Sequence, residues 1–274
     1  MRTSCASGCA GIGSDFAENE AKRCNGGPGR GRLAVVGTGP GELAQLSQRA
    51  VKALSEANVI AGYKTYLELI QDIIAGKEII STGMTREIER CEEAIRRARA
   101  GAQVALVSSG DPGVYGMAGL VLELLERDGA LEEIDVDIVP GITSATSSAA
   151  ILGAPLMHDF AVISLSDLLT PWEVILTRLE MASRGDFVVV LYNPASKKRT
   201  EQIRTAREIM LGHKSPATPV GIVRNAARDK QETVITDLER MLEHPIDMFT
   251  TIIAGNSRTR RIGKYMVTPR GYQV

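Results

Sequence analysis

Small stretches scattered along the chain carry the residue types that could do chemistry. They are Gly110-Asp111-Pro112, Gly141-Ile142-Thr143-Ser144, Tyr192-Asn193-Pro194, Asn225-Ala226 and Thr250-Thr251. Each is rich in glycine, hydroxyl or amide groups. Such residues let backbone approach a ligand closely and supply fixed donors and acceptors. No Ser/His/Asp or Cys/His set stands out, and His158, His213 and His244 are far apart in sequence. His213 and His244 fall near predicted helix ends, where a dipole or capping role suits them. No metal-ligand spacing is present. The chemistry implied is positioning rather than covalent attack, which suits transfer of a group between two bound substrates.

The elements that must position these stretches come next. Val104-Ala105-Leu106-Val107 is an unbroken apolar run bounded by turn residues, the pattern of a strand buried on both faces. Gly110, Pro112 and Gly113 end it in a tight loop, and Leu120, Val121 and Leu124 at helical spacing predict a helix over 117–127. The loop therefore lies at the carboxyl end of a strand, where open α/β sheets bind ligands. An ordinary βα turn with Asp111 as a local cap is the competing reading. Upstream, the strand Leu33–Val36 ends in Gly37-Thr38-Gly39-Pro40-Gly41-Glu42. That spacing is G-x-G-x-G, not the G-x-G-x-x-G of dinucleotide folds, and the next strand ends Ala61-Gly62-Tyr63-Lys64 without an acid for a ribose.

The rest of the chain alternates in the same way. Leu43, Leu46, Ala50 and Leu54 predict a helical face; Val59–Ala61 a strand; Leu67, Ile70 and Ile74 a helix; Ile79-Ile80 a strand; and 87–99 a charged helix. On that helix Cys91 shares a face with Ile88, Ala94, Ile95 and Ala98, so it reads as a core residue. Val136–Val139 is the next strand. A second domain starts near Ala154-Pro155, with strands at 160–163, 187–192, 220–223, 233–235 and, last, 251–254. Thr170, Pro171 and Glu173 predict a capping box at a helix start, and Ile203, Ala206 and Met210 mark a later helix. Strands adjoin here without helices between them, so this sheet is expected to be mixed. The organisation expected is a tail over 1–31, a mostly parallel α/β domain over 32–153 and a mixed α/β domain over 154–274. Strand-end stretches from both suit a ligand cleft between them.

The 274 residues are 44% hydrophobic and 24% charged with net charge −1, the balance of a soluble globular protein and not of a nucleic-acid or membrane-surface binder. No apolar run is long enough to span a bilayer. Cys5, Cys9, Cys24 and Cys91 make no disulfide framework at this length, which points to a reducing, cytoplasmic setting. The tail over 1–31 lacks hydrophobic periodicity and a signal-peptide core, and disorder is expected.

These residues resemble the tetrapyrrole methylase family, the S-adenosylmethionine-dependent methyltransferases of cobalamin and sirohaem synthesis. The shared motifs are the glycine loop Gly37 to Gly41, Gly110-Asp111-Pro112 and Pro140-Gly141-Ile142-Thr143. The run Ser108 to Gly116, the run His158-Asp159-Phe160 through Thr170-Pro171-Trp172-Glu173, Tyr192-Asn193-Pro194 with Ser196-Lys197, and Thr268-Pro269-Arg270-Gly271-Tyr272 are similar to the branch that methylates precorrin-3B at C17. The resemblance covers residue 32 onward. It implies a homodimer of two α/β domains with S-adenosylmethionine between them, contacted by Ser109, Gly110, Asp111, Val114, Thr143, Ser144, Asn193, Ala226, Thr250 and Thr251. It also implies methylation at C17 coupled to ring contraction.

Ring contraction needs proton movements, for which Asp111, Glu42 and His158 are candidates. The substrate would lie along Gly37, Gly39, Pro40 and Gly41. Its carboxylates call for a local basic patch, and Arg224, Arg228, Lys197, Lys198, Arg199 and Arg258 all lie near strand ends. The same chemistry on cobalt-factor III, a tetrapyrrole-binding protein without turnover, and a nicotinamide dehydrogenase remain as alternatives.

Overall fold

The computed structural model describes residues 30–83 and 85–273. The expectations for the amino-terminal tail and for Cys5, Cys9 and Cys24 lie outside the described residues. By their contacts the described residues form two compact units. One comprises the chain up to Gly37 together with Ser47–Gly141; the other comprises Thr38–Leu46 and the chain from Ile142 onward.

In the first unit, β1 (Arg32–Gly37), β2 (Val59–Tyr63), β3 (Glu78–Thr82), β4 (Gln103–Ser108) and β5 (Asp135–Val139) form a sheet of order β3-β2-β4-β1-β5. Every pairing is parallel. The connecting helices are α1 (Gln48–Glu56), the short α2 (Lys64–Glu68) and α3 (Gln71–Ile74), α4 (Glu87–Arg99) and α5 (Ala118–Arg127). Leu33, Val35, Ala61, Val104 and Leu106 pack against Cys91, Ala94, Ile95 and Ala98 of α4 and Val121, Leu124 and Leu125 of α5. Burial raises the Cys91 thiol pKa to about 12, which suits the expected core role. Ile88 departs from that face and is more than half exposed. Leu43 and Leu46 are not on α1 either: Leu43 opens a short 3-10 turn, and the Ser47 hydroxyl caps α1 by accepting from Ala50 N at 3.1 Å. A serine cap fixes where the helix begins more firmly than the apolar spacing does.

The second unit holds α6 (Ser144–Leu152), β6 (Gly153–Ala154), β7 (Phe160–Ser164), α7 (Trp172–Arg184), β8 (Val188–Tyr192), α8 (Glu201–Leu211), β9 (Pro219–Arg224), β10 (Glu232–Asp237), β11 (Thr250–Ala254), β12 (Arg260–Ile262) and β13 (Tyr265–Val267). Its main sheet has the order β10-β9-β11-β8-β7. β7 and β8 are parallel and the other pairs antiparallel, so the sheet is mixed as expected. Both faces are covered. Val189, Leu191, Val220, Ile222 and Ile252 pack toward Ile175, Leu179, Ile203 and Ala206 of α7 and α8; Val188, Val190, Val223 and Ile253 pack toward Ala145, Ala149 and Leu152 of α6. Helix α6 precedes Ala154-Pro155, so the contacts divide the chain ahead of that composition break.

Two expectations fail locally. β11 is not the last strand: β12 and β13 form a hairpin that pairs with β6. Its turn is Gly263-Lys264, with Gly263 at φ 59°, a two-residue hairpin connection that favours glycine first. The capping box at Thr170 and Glu173 does not form, because Pro171 is at ψ 138° and stays outside the helix as its N-cap.

Gly221 on β9 shows how tightly α6 is seated. A Cβ there would lie 2.3 Å from Leu152 Cδ1, and Leu152 is fully buried. Gly221→Ala should destabilise the protein by roughly 1–3 kcal/mol through overpacking. A Cβ added to Gly119 on α5 would meet only open space, so Gly119→Ala should stabilise by about 0.5–1 kcal/mol. Urea unfolding of both variants checks this; equal midpoints for parent and Gly221→Ala would show that α6 is not held there.

Candidate functional site

Parallel pairing places the ends of β1, β3, β4 and β5 on one edge of the first sheet. Gly37 pairs with Ser108 and Val36 with Val139, so the Gly110 loop and Pro140-Gly141 start from neighbouring strands. These backbones nearly touch. A Cβ on Gly141 would lie 2.1 Å from the Gly110 carbonyl oxygen, and one on Gly37 would lie 2.7 Å from both Gly110 O and Gly141 N. Only glycine fits at such spacing. Asp111 ties the loops together: Oδ1 accepts from Gly113 N at 2.8 Å and Oδ2 from Gly141 N at 3.0 Å. The loop surface beyond is open, with Val114 and Tyr115 exposed. Gly110 is at φ 67° and Tyr115 at φ 54°. For tyrosine that conformation costs roughly 1 kcal/mol or more, and such strain gathers at ligand sites.

The second sheet has its own converging edge. Ser164 pairs with Tyr192, Ile252 with Leu191, and Thr250 with Arg224. The carboxyl ends of β7, β8 and β9 and the amino end of β11 therefore share one edge. Asn193 (φ 50°), Asn225 (φ 52°) and Ala227 (φ 53°) follow those ends in left-handed conformation. Asn193 Nδ2 donates to Ser164 Oγ at 2.9 Å. Thr143 is the N-cap of α6, with its hydroxyl accepting from Ala145 N at 3.3 Å. The Tyr192 hydroxyl accepts from the same N–H at 2.7 Å and bonds the Thr143 hydroxyl. Tyr192 thus caps α6 from a neighbouring strand. Ser144 is the first residue of that helix, partly exposed.

Thr250, Thr251 and Ala226 are buried. The Thr250 hydroxyl donates to Asp247 Oδ1 and accepts from Asp247 N, each at 3.0 Å.

The glycine loop beyond Thr38 belongs to this unit. Gly39 is at φ 69°, and Arg228 Nε donates to Pro40 O at 2.6 Å. A Cβ on Gly41 would lie 2.5 Å from Arg228 Cγ. Glu42 is exposed at the start of the 3-10 turn, 3.5 Å from Gln45 Nε2.

Several expected contacts have work within the chain. Arg224 Nε donates to Asp247 Oδ2 at 2.7 Å and Nη1 lies 3.4 Å from Glu232. Arg199 Nη1 donates to the carbonyls of Leu165 and Asn193 at 3.0 and 3.1 Å, holding two strand-end loops together. Charge alone did not separate such loop ties from ligand contacts. His158 does not join the converging edge. It precedes β7, whereas Asn193 follows the parallel β8, so it sits at the opposite end of strands about 16 Å long. Its Nδ1 accepts from Asp159 N at 2.9 Å. Among the described residues, no group of three His, Cys, Asp or Glu could hold a metal, and no helix is long and apolar enough to cross a membrane.

A family model for "Tetrapyrrole (Corrin/Porphyrin) Methylases" matches residues 32–242. The chain belongs to the tetrapyrrole methylase family. This is a family of methyltransferases that use S-adenosylmethionine. Among its relatives, a "Cobalt-factor III methyltransferase" of Priestia megaterium is 52% identical over 89% of this chain, but the match spans only 46% of that longer protein. A "Probable cobalt-factor III C(17)-methyltransferase" of Salmonella typhimurium is 48% identical over 88% of this chain and 100% of its own length. A "Precorrin-3B C(17)-methyltransferase" of a Sinorhizobium species is 37% identical over 88% and 97%. The crystal structure of the methyltransferase CobJ superposes with a TM-score of 0.83 at 37% identity, covering 87% of this chain and 100% of CobJ. A uroporphyrin-III C-methyl transferase of Thermus thermophilus, solved with S-adenyl homocysteine, superposes at 0.61 with 27% identity over 82% and 97%.

The site geometry of this tetrapyrrole methylase makes two checks possible. Asp111→Asn would set an amide against one of two backbone N–H donors, which should destabilise the protein by about 1–3 kcal/mol and weaken S-adenosylhomocysteine binding. Calorimetry and urea unfolding test it; parent-level values in both would show that the loops stand without the carboxylate. At Asp247, burial favours the neutral acid, but hydrogen bonds from Arg224, Phe249 N and Thr250 outweigh it and lower the pKa. A lowered folded pKa contributes stability above the unfolded carboxylate value near 4 and loses it as pH falls through the folded one. Arg224→Ala should therefore be less stable than the parent at pH 7, with the difference shrinking below about pH 4. A constant difference from pH 7 to pH 2 would contradict this.

Proposed function

We propose that this chain methylates precorrin-3B at C17, using S-adenosylmethionine, and contracts the ring to precorrin-4 in cobalamin biosynthesis. The observation that carries the reading is the near full-length match to the precorrin-3B C17-methyltransferase, reaching 97% of that protein. The strand-end loops fit a cofactor held by backbone. Gly37 and Gly141 leave no room for a Cβ, so backbone lines that edge. In this reading Ser109, Gly110, Asp111, Val114, Thr143, Ser144, Asn193, Ala226, Thr250 and Thr251 hold S-adenosylmethionine. Thr250 and Thr251 would offer backbone, since both side chains are buried. The cofactor supplies an electrophilic methyl on a sulfonium. Because its charge disperses during transfer, what the protein contributes is alignment.

Gly39, Pro40 and Gly41 would line the tetrapyrrole, with Arg228 fixing that loop through Pro40 O. Glu42 is the exposed carboxylate beside the glycine loop and is the candidate for moving protons during ring contraction. Asp111 has both oxygens engaged by backbone. The proposal extends to a homodimer, which the family resemblance suggests, and to a cytoplasmic setting, which the free buried thiol of Cys91 suits.

A second reading takes cobalt-factor III as substrate, and it draws on the names of the relatives at 52% and 48% identity. Purified protein with S-adenosylmethionine and either tetrapyrrole, analysed by mass spectrometry, separates the readings. The expected product from precorrin-3B is heavier by one methyl and ring-contracted. Turnover of cobalt-factor III alone would select the second reading, and turnover of neither would remove both. Glu42→Gln should retain S-adenosylhomocysteine affinity while slowing ring contraction.

A further inference from the structure

Arg90 is the feature that no role above absorbs. Two charged residues, Arg90 and Lys214, are less than one-tenth exposed among the described residues. Lys214 has Asp186 at 3.7 Å and donates to Phe187 O at 2.8 Å. Arg90 is 4% exposed and has no carboxylate within ion-pair distance among the described residues. Its Nη1 donates to the Thr82 hydroxyl at 2.5 Å, its Nη2 faces the Met117 sulfur at 3.9 Å, and its Nε is buried without a partner. A guanidinium has five donors, and here two weak neutral groups answer them. A buried charge left unpaired is strongly destabilising, so the arrangement calls for an anion.

The neighbouring carboxylates are engaged elsewhere. On α4, Glu89 pairs with Arg86, Glu92 with Arg127, and Glu93 with Arg96 and Arg97. Glu87 accepts from Thr85 N at 3.2 Å. None turns to Arg90. Its location is equally specific. Thr82 is the last residue of β3, and Met117 closes the Gly110 loop just before α5. Arg90 therefore lies at the carboxyl edge of the first sheet, where the parallel strands end. Thr82 and Met117 are both half-buried, so the two groups that meet the guanidinium themselves reach solvent. A methionine has three rotatable bonds, and its thioether is a weak acceptor. A shift of the Met117 side chain would present Nη2, and a carboxylate oxygen there would be a far stronger acceptor than sulfur.

We propose that Arg90 receives a carboxylate side chain of the tetrapyrrole substrate, with the Met117 sulfur occupying that place in the free protein. This rests on the tetrapyrrole reading above and adds a specific residue to it. Arginine suits the task because its planar fork meets a carboxylate with two parallel hydrogen bonds. The free protein tolerates an unpaired buried charge and the complex relieves it, so removing the charge should have opposite effects on the two.

The test uses the full chain with Arg90→Gln, Arg90→Met and Arg90→Lys. Cobalt-factor III and precorrin-3B are titrated by absorbance, S-adenosylhomocysteine by calorimetry, and Tm is measured without ligand. The expected result for Arg90→Gln and Arg90→Met is a Tm equal to or above the parent, unchanged S-adenosylhomocysteine affinity, and tetrapyrrole affinity lower by roughly tenfold or more, the scale of one charged hydrogen bond. Arg90→Lys, which keeps the charge and loses the fork, should fall between. Parent-level tetrapyrrole affinity in Arg90→Gln overturns the proposal and leaves the function standing. So does a fall in Tm with a parallel loss of both ligands, which marks a structural arginine. A parent protein that binds neither tetrapyrrole overturns the function and this proposal together.

Discussion

The close approach of three backbones at Gly37, Gly110 and Gly141 is the constraint on which the carboxyl edge of the first sheet depends. A Cβ on Gly141 would overlap the Gly110 carbonyl at 2.1 Å, so the loops after β1, β4 and β5 can lie this close only without side chains at Gly37 and Gly141. Proximity alone would leave them free to slide. The Asp111 carboxylate prevents that by taking one N–H from its own loop and one from Gly141. Each bond joins a charged acceptor to a backbone donor, the stronger class of hydrogen bond. The exposed face of Val114 and Tyr115 is presented from this braced base.

The second sheet reaches a similar result by different means. Its strands are mixed in direction, yet their pairing brings the ends of β7, β8 and β9 and the start of β11 to one edge. Glycine does little of the work there. Left-handed Asn193, Asn225 and Ala227 turn the chain; Arg199 donates to the Asn193 carbonyl, Asn225 Nδ2 donates to Lys230 O, and the Gln231 side chain accepts from Ala227 N. Loops can thus be gathered at a sheet edge by close-packed glycines or by polar ties between ordinary residues.

Much of this was legible in the sequence, because buried parallel strands are unbroken apolar runs and their ends are marked by glycine and proline. The strands from β1 to β5, helix α4 and the core place of Cys91 follow from those signals. What was not legible is which partners the charged residues have: Arg199 serves two carbonyls, and Arg224 serves Asp247. Sequence shows that a guanidinium is present but not what it faces. The same limit hid Arg90, which reads as one more surface charge on a charged helix until its burial is known. The place of His158 was hidden for a topological reason, since the direction of a strand decides at which edge its flanking residues emerge. The β12–β13 hairpin was too short and too rich in arginine to register as strand, although Gly263-Lys264 is a turn signal.

The glycine loop has a consequence for how such enzymes diverge. Thr38–Leu46 packs with the second unit although it is encoded between segments of the first, and its Pro40 carbonyl is held by Arg228, 188 positions away. Gly41 and Arg228 are in contact, so neither can drift independently: any side chain at the first displaces the second. Recombination between two relatives with a crossover near Gly141 would take the loop from one parent and its arginine from the other. Such a hybrid keeps the contact only where both parents pair a glycine with an arginine at these two positions.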